Sequence, residues 1–166
     1  MTVHSVIHHT FVIERTYAAT PSTVFAAFAS EEAKNWGDTG DLEPVEEQQA
    51  GQTEFDFRVG GRERFSHKRQ DTIYRYDATY YDIVPDTRLV YSYEMYADEM
   101  RTSVSLATIE FSKNREGTAL TWTEQGAYLD GFDGPEAGAL REGGTGQMLD
   151  LLTGYLERQA PAESQN

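Results

Sequence analysis

Glu124 is the side chain in this sequence best placed to do chemistry. In the run LTWTE it alternates with Leu120 and Trp122, so a strand here turns all three to one face. A carboxyl on an apolar face is pushed to a higher pKa, which is what a general acid or base needs at neutral pH. The competing reading is a carboxylate at a strand end that reaches water or pairs with an arginine. Asp82 and Glu94 are weaker candidates of the same type. Ten of the residues are tyrosine, and seven of these fall between Tyr74 and Tyr96. An enclosed tyrosine buries a large ring and brings a hydroxyl that seeks a partner. Tyr80, Tyr91 and Tyr93, with Trp36, Phe55, Phe57, Leu120 and Trp122, are the candidate wall of an apolar ligand cavity, completed by Glu124, Met148 and Leu152. Ordinary core and cross-strand packing is the alternative for many of these aromatics.

Other chemistries find less support. There is no cysteine, which removes thiolate metal sites, disulfides and a cysteine nucleophile. The histidines are His4, His8, His9 and His67; neighbours His8 and His9 point to opposite faces of a strand, so no metal site is expected. Neither GxSxG nor GxGxxG occurs, and no cofactor is expected. The run GGTG at 143–146 reads as a flexible helix opening, with anion binding at the helix N-terminus the weaker reading.

Lysine and arginine total 14 against 28 acids, a formal charge of -14 that disfavours nucleic acid and anionic membranes. The basic cluster Arg62, Arg64, His67, Lys68 and Arg69 is interrupted by Glu63 and closed by Asp71, and reads as a solvated face. MTVHSVIHHTFVIERTY lacks the basic start and apolar run of a secretory signal, and no stretch approaches the roughly 20 apolar residues of a membrane span. A cytoplasmic protein without membrane insertion is expected. The 166 residues suit a single domain, with an ordered core over about 8–158 and a polar tail over 159–166.

The elements that must position these side chains can be read in order. Alternation of Phe11, Ile13 and Tyr17 marks a first strand over Val3–Tyr17. Thr20-Pro21 opens a helix to Ala29, and Ser30 with Glu31 and Glu32 a second, ending near Trp36-Gly37. Strands are then predicted over Leu42–Gln48, Thr53–Val59, Arg62–Lys68, Thr72–Ile83, Arg88–Tyr96, Arg101–Ser112 and Thr118–Gln125, in an antiparallel meander. In FDFRVGGRERF, Phe55, Phe57 and Val59 share a face, and Gly60-Gly61 supplies the positive φ of a hairpin turn. LDGFDGPEAGALREGGTG reads as a mobile loop. A last helix over Gly144–Glu157 carries Met148, Leu149, Leu151, Leu152, Tyr155 and Leu156 on an apolar stripe.

FVIERTYAATPSTVFAAF (11–28), Trp36, DFRVGG (56–61), YDIVPDTRLVYSY (81–93), GTALTWTEQG (117–126) and REGGTGQMLDLLTGYLE (141–157), in this order and spacing, resemble the START-like or SRPBCC superfamily, and specifically the homologues of the activator of Hsp90 ATPase. The resemblance covers about residues 8–158. It implies an α+β helix-grip fold, β-α-α-β6-α, with a curved antiparallel sheet wrapped around the C-terminal helix and a cavity between them. It brings in lipid and hormone carriers, polyketide cyclases and small bacterial proteins; chaperone activation belongs mainly to longer members with an extra N-terminal domain. Gly144-Thr145-Gly146 stands where many relatives carry a tryptophan.

Three functions follow as expectations. The first is a module that binds a hydrophobic or aromatic small molecule. The second is a cyclase, dehydratase or hydrolase using Glu124 or a cavity tyrosine. The third is a chaperone cofactor or stress-response partner acting through its surface. A homodimer is compatible with each.

Overall fold

The computed structural model describes residues 3–33, 36, 45 and 53–161. Seven strands form one antiparallel sheet: β1 (Val6–Tyr17), β2 (Glu54–Phe55), β3 (Arg62–Arg69), β4 (Thr72–Val84), β5 (Arg88–Ala97), β6 (Met100–Lys113) and β7 (Thr118–Leu129). Their spatial order is β1-β7-β6-β5-β4-β3-β2, so only the first strand pairs far from its sequence neighbours. Among the described residues the helices are α1 (Pro21–Ala29) and α2 (Ala137–Gln159). Of the second short helix expected after Ser30, residues 30–33 and 36 are described, with a turn at 31–32 and no α-helix among them, and the strand expected over Leu42–Gln48 falls outside the described residues except at 45.

Period 2 governs the sheet. In β7, Thr118, Leu120, Trp122, Glu124, Gly126 and Tyr128 are all buried, and the register partners in β6 of all but Thr118, from Ser103 to Phe111 at every second residue, are buried with them. Shifts of register after Tyr80 and after Met95 add the bulges that let a long sheet curve. α1 begins as its sequence predicts: the Thr23 N–H donates to the Thr20 hydroxyl at 3.3 Å, and Pro21 fills the first turn. Phe25 and Phe28 pack edge-on against Phe111 at 5.5 and 5.6 Å, and the Trp36 indole donates to the Ala27 carbonyl at 2.8 Å.

Two readings of the sequence need correction here. β2 keeps only two paired residues; beyond Phe55 the chain turns, the Asp56 N–H reaching the Arg62 carbonyl and the Gly61 N–H the Arg58 carbonyl. Gly60 has φ +80, and a Cβ at Gly61 would collide with the Asp56 carbonyl oxygen. Val59 is therefore exposed rather than sharing an inner face with Phe55 and Phe57, while Asp56 and Arg58 pair at 2.7 Å across the turn.

The second correction concerns α2, which begins seven residues before the expected Gly144 and takes in most of the stretch read as a mobile loop. The glycines at 143, 144 and 146 are thus interior, and GGTG does not offer a helix N-terminus. Leu149, Leu152 and Leu156 are buried against the core, whereas Leu151, expected on the same stripe, is 37% exposed. The helix lies on β1 and β7. At its start Gly138 sits so close to His9 that any Cβ would collide with the imidazole. Because α2 leans on β1 and β7 at one end of the sheet, the described helices leave space over the inner faces of β3, β4 and β5.

Candidate functional site

The space left by that arrangement is a cavity of about 940 Å³ between α2 and the sheet. Its wall is largely aromatic. Tyr91 and Tyr93 come from β5, Tyr74 and Tyr76 from β4, Trp122 and Tyr128 from β7. These rings sit on alternate positions of their strands, on one face of the sheet: Tyr76 and Tyr93, on neighbouring β4 and β5, lie 5.2 Å apart, and Tyr91 meets Trp122 at 6.3 Å across the intervening β6. Phe65 of β3, Phe132 and Leu140 of α2 are 39%, 40% and 69% exposed, and mark where the cavity opens to solvent.

Of the wall residues named from sequence, Trp36, Phe55, Tyr91, Tyr93, Trp122 and Met148 border the cavity. Phe57, Tyr80, Leu120, Glu124 and Leu152 do not; they belong to the packed layer behind it. Phe57 is drawn away by the turn after β2 and packs edge-on against Tyr80 at 5.0 Å and Phe25 at 5.9 Å. Tyr80 spends its hydroxyl on Glu63, to which it donates at 2.5 Å. Leu120 and Leu152 have no exposed surface and fill the core between sheet and helix. Asp82 and Glu94 are on the outer side, held by Arg88 at 2.6 Å and by the Tyr96 hydroxyl at 2.7 Å.

Glu124 is fully buried, directly behind Tyr93. The small side chain of Ala107 opposite it on β6 leaves room for the carboxyl. The Tyr93 hydroxyl donates a hydrogen bond to Oε1, and the Arg141 guanidinium stands 3.8 Å from the same oxygen. Burial raises the Glu124 pKa above the usual carboxylate range; Tyr93, Arg141, Ser105 and Trp122 pull it back in part. Among the described residues, Oε2 makes no hydrogen bond of good geometry, with Ser105 and Trp122 nearby. Tyr93 is held well above its ordinary pKa, first by burial, and so remains a proton donor.

Arg141 joins these groups. Its Nη1 donates to the Tyr93 hydroxyl at 2.7 Å and to Ser105 Oγ at 3.3 Å, and its Nη2 to Ser103 Oγ at 2.8 Å. Its guanidinium carbon stands 5.3 and 5.4 Å from the ring centroids of Tyr93 and Tyr128. Reading the sequence missed this residue, because glycines two, three and five places later suppress the helical signal that would put it on an inward face. Ser103 and Ser105 carried a clearer sign: they occupy the inner face of β6, which otherwise bears Ala107, Ile109 and Phe111. The arrangement can bind an aromatic molecule, present tyrosine and arginine donors to it, and move a proton between Tyr93 and Glu124.

Within the basic cluster, Arg62 and Arg64 share one carboxylate, Asp77, at 3.0 and 3.1 Å. His9 faces α2, with Nε2 3.4 Å from Glu142, while His8 is exposed. Among the described residues, no group of three or more histidine, cysteine, aspartate or glutamate side chains could hold a metal ion, and no helix is long and apolar enough to cross a membrane.

Comparison with known proteins agrees with this architecture. An uncharacterised protein from Rhizobium leguminosarum, with a crystal structure, is 41% identical over 95% of this chain and 99% of its own, with a TM-score of 0.81. The Mll3558 protein from Rhizobium loti is 42% identical over 91% of this chain and 99% of its own, at a TM-score of 0.77. Protein CV1439 from Chromobacterium violaceum, 21% identical over 88% of this chain and 96% of its own at a TM-score of 0.64, shares the fold. No protein of curated function matches. The family profile described as Activator of Hsp90 ATPase homolog 1-like protein matches residues 18–157, and with an SRPBCC-type helix-grip fold around that stretch the chain belongs to this family.

Proposed function

We propose that this chain binds a hydrophobic or aromatic small molecule in the cavity between the sheet and α2, acting as a single cytoplasmic domain. The observation that carries the reading is the 940 Å³ volume with eleven aromatic side chains on its wall, a space that the described side chains leave open. That volume lies in the range of pockets that enclose drug-sized ligands. Family membership supports it, as proteins of this type often bind hydrophobic ligands. A thermal-shift screen across lipids, polyketides and aromatic amides tests it. A ligand at 100 times its Kd adds about 2.7 kcal/mol, or roughly 5–10 °C in Tm for a chain of this size. A flat response across all three classes would count against binding.

The contact of Tyr93 with buried Glu124 favours catalysis as a second reading, with Tyr93 giving a proton to a bound carbonyl and Glu124 replacing it. Its test is the fate of the ligand, followed by native mass spectrometry of protein as purified. If Glu124→Gln retains a molecule that differs chemically from the one held by the wild type, a substrate has been trapped ahead of turnover. The same molecule in both removes Glu124 from any acid-base role.

A further inference from the structure

A cavity with an arginine on its wall invites a carboxylate, and the surroundings of Arg141 argue against one. The charge of Arg141 is already met by Glu124, 3.8 Å away and fully buried. Three of the five guanidinium N–H donors are engaged by Tyr93, Ser103 and Ser105, which leaves two. Trp122 and Tyr128, 4% and 3% exposed, border the cavity as well; among the described residues the Tyr128 hydroxyl has no hydrogen-bond partner, and the Trp122 indole N–H, which lies near Glu124, makes no hydrogen bond of good geometry. Around Arg141 the wall therefore offers hydrogen-bond donors without net positive charge.

The remaining charges do not change the balance. Among the described residues on the cavity wall, Glu31, Glu54 and Glu63 stand against Arg64, Arg69 and Arg141. Behind the wall, Asp77 is shared by Arg64 at 3.1 Å and Arg62 at 3.0 Å, and Glu124 backs Arg141; with these counted, five carboxylates stand against four guanidiniums, in a chain whose formal charge is -14. An anion entering the cavity meets donors that suit it and a field that does not.

We infer that the ligand's polar head is an uncharged hydrogen-bond acceptor on an aromatic or alicyclic body, such as an amide, ketone or phenol, and that Glu124 is the residue that excludes carboxylates. Donors from Arg141, Trp122 and Tyr128 orient the acceptor, while the aromatic wall takes the ring. This deepens the proposed function and rests on it. It also separates two roles for the arginine: a donor toward the ligand, and a counter-charge toward the protein's own carboxylate.

The test compares 2-naphthamide with 2-naphthoate, matched in size and differing in charge, by calorimetric titration at about pH 8, with neutral Nile red as a reporter of the cavity. The wild type is expected to bind the amide at least about tenfold more tightly than the carboxylate. Glu124→Gln, which frees the charge of Arg141, is expected to reverse that order while still binding the amide, and amide binding doubles as evidence that the variant is folded. Equal affinities, a preference for naphthoate in the wild type, a folded Glu124→Gln that keeps the original order, or failure of both naphthalenes while Nile red binds would each overturn this inference alone. Failure of all three probes overturns the cavity reading as well. Because the wild-type comparison needs no substitution, it decides even if Glu124→Gln is unstable.

Discussion

Replacing Arg141 by methionine is expected to destabilise the protein by about 3 kcal/mol at neutral pH, because it strands Glu124 as a buried charge without its cation. Methionine keeps much of the length and the apolar contact, so lost packing contributes little. The effect has a pH signature that separates it from a packing defect. The folded-state pKa of Glu124 already lies above its ordinary value, chiefly through burial, and removing Arg141 takes away one of the groups that lower it. A carboxyl raised in the folded state opposes folding when ionised. The penalty is therefore full above the folded pKa and fades as pH falls through it towards the unfolded value. Urea unfolding at about pH 8 and about pH 5 should show the deficit of Arg141→Met shrinking on acidification. A deficit that stays constant with pH would mean that Tyr93 and Ser105 hold the carboxyl unaided.

Leu149→Ala should cost a similar amount, about 3 kcal/mol, by opening a cavity where α2 docks. Leu149 has no exposed surface, and its backbone carbonyl accepts the Tyr17 hydroxyl at 2.8 Å, so the helix is pinned here to β1 by packing and by a buried hydrogen bond. The same substitution at Leu151, two residues on and 37% exposed, should stay within about 0.5 kcal/mol. Chemical denaturation of the pair compares one side chain type on two faces of one helix. Comparable losses at both positions would mean that α2 is rotated from the orientation described above.

That pair also shows where the sequence was legible. Alternation through LTWTE correctly put Leu120, Trp122 and Glu124 on one face, because a strand's period leaves only two choices and the apolar residues decide between them. Helical stripes are broader: with leucine at 149, 151, 152 and 156, several rotations bury a similar apolar set, and only contact with β1 and β7 selects one. The start of α2 was hidden for another reason. Gly143, Gly144 and Gly146 argue locally for a loop, and tertiary packing overrides that preference, in part because Gly138 lets the first turn approach His9. Since Arg141 directly follows that turn, the charge partner of Glu124 was hidden with it. Phe57 was misplaced by carrying strand alternation past Phe55, where the chain had already begun to turn.

The pairing of β1 with β7 sets a timetable for the chain. Its register joins Val6 to Leu129 and Tyr17 to Thr118, partners more than a hundred residues apart, while every other neighbour in the sheet is joined through a hairpin or a short turn. During synthesis β2 to β6 can zip together as each emerges, but β1 must wait for β7. α2, which leans on both, can settle only after they have met. Long-range pairing fixes loop entropy before any contact rewards it, so this closure is the slow and late event of folding. Until it happens, the apolar side chains on the inner faces of β1 and β6 remain open to solvent, which makes the interval before β7 arrives the time when a nascent chain is most exposed to aggregation.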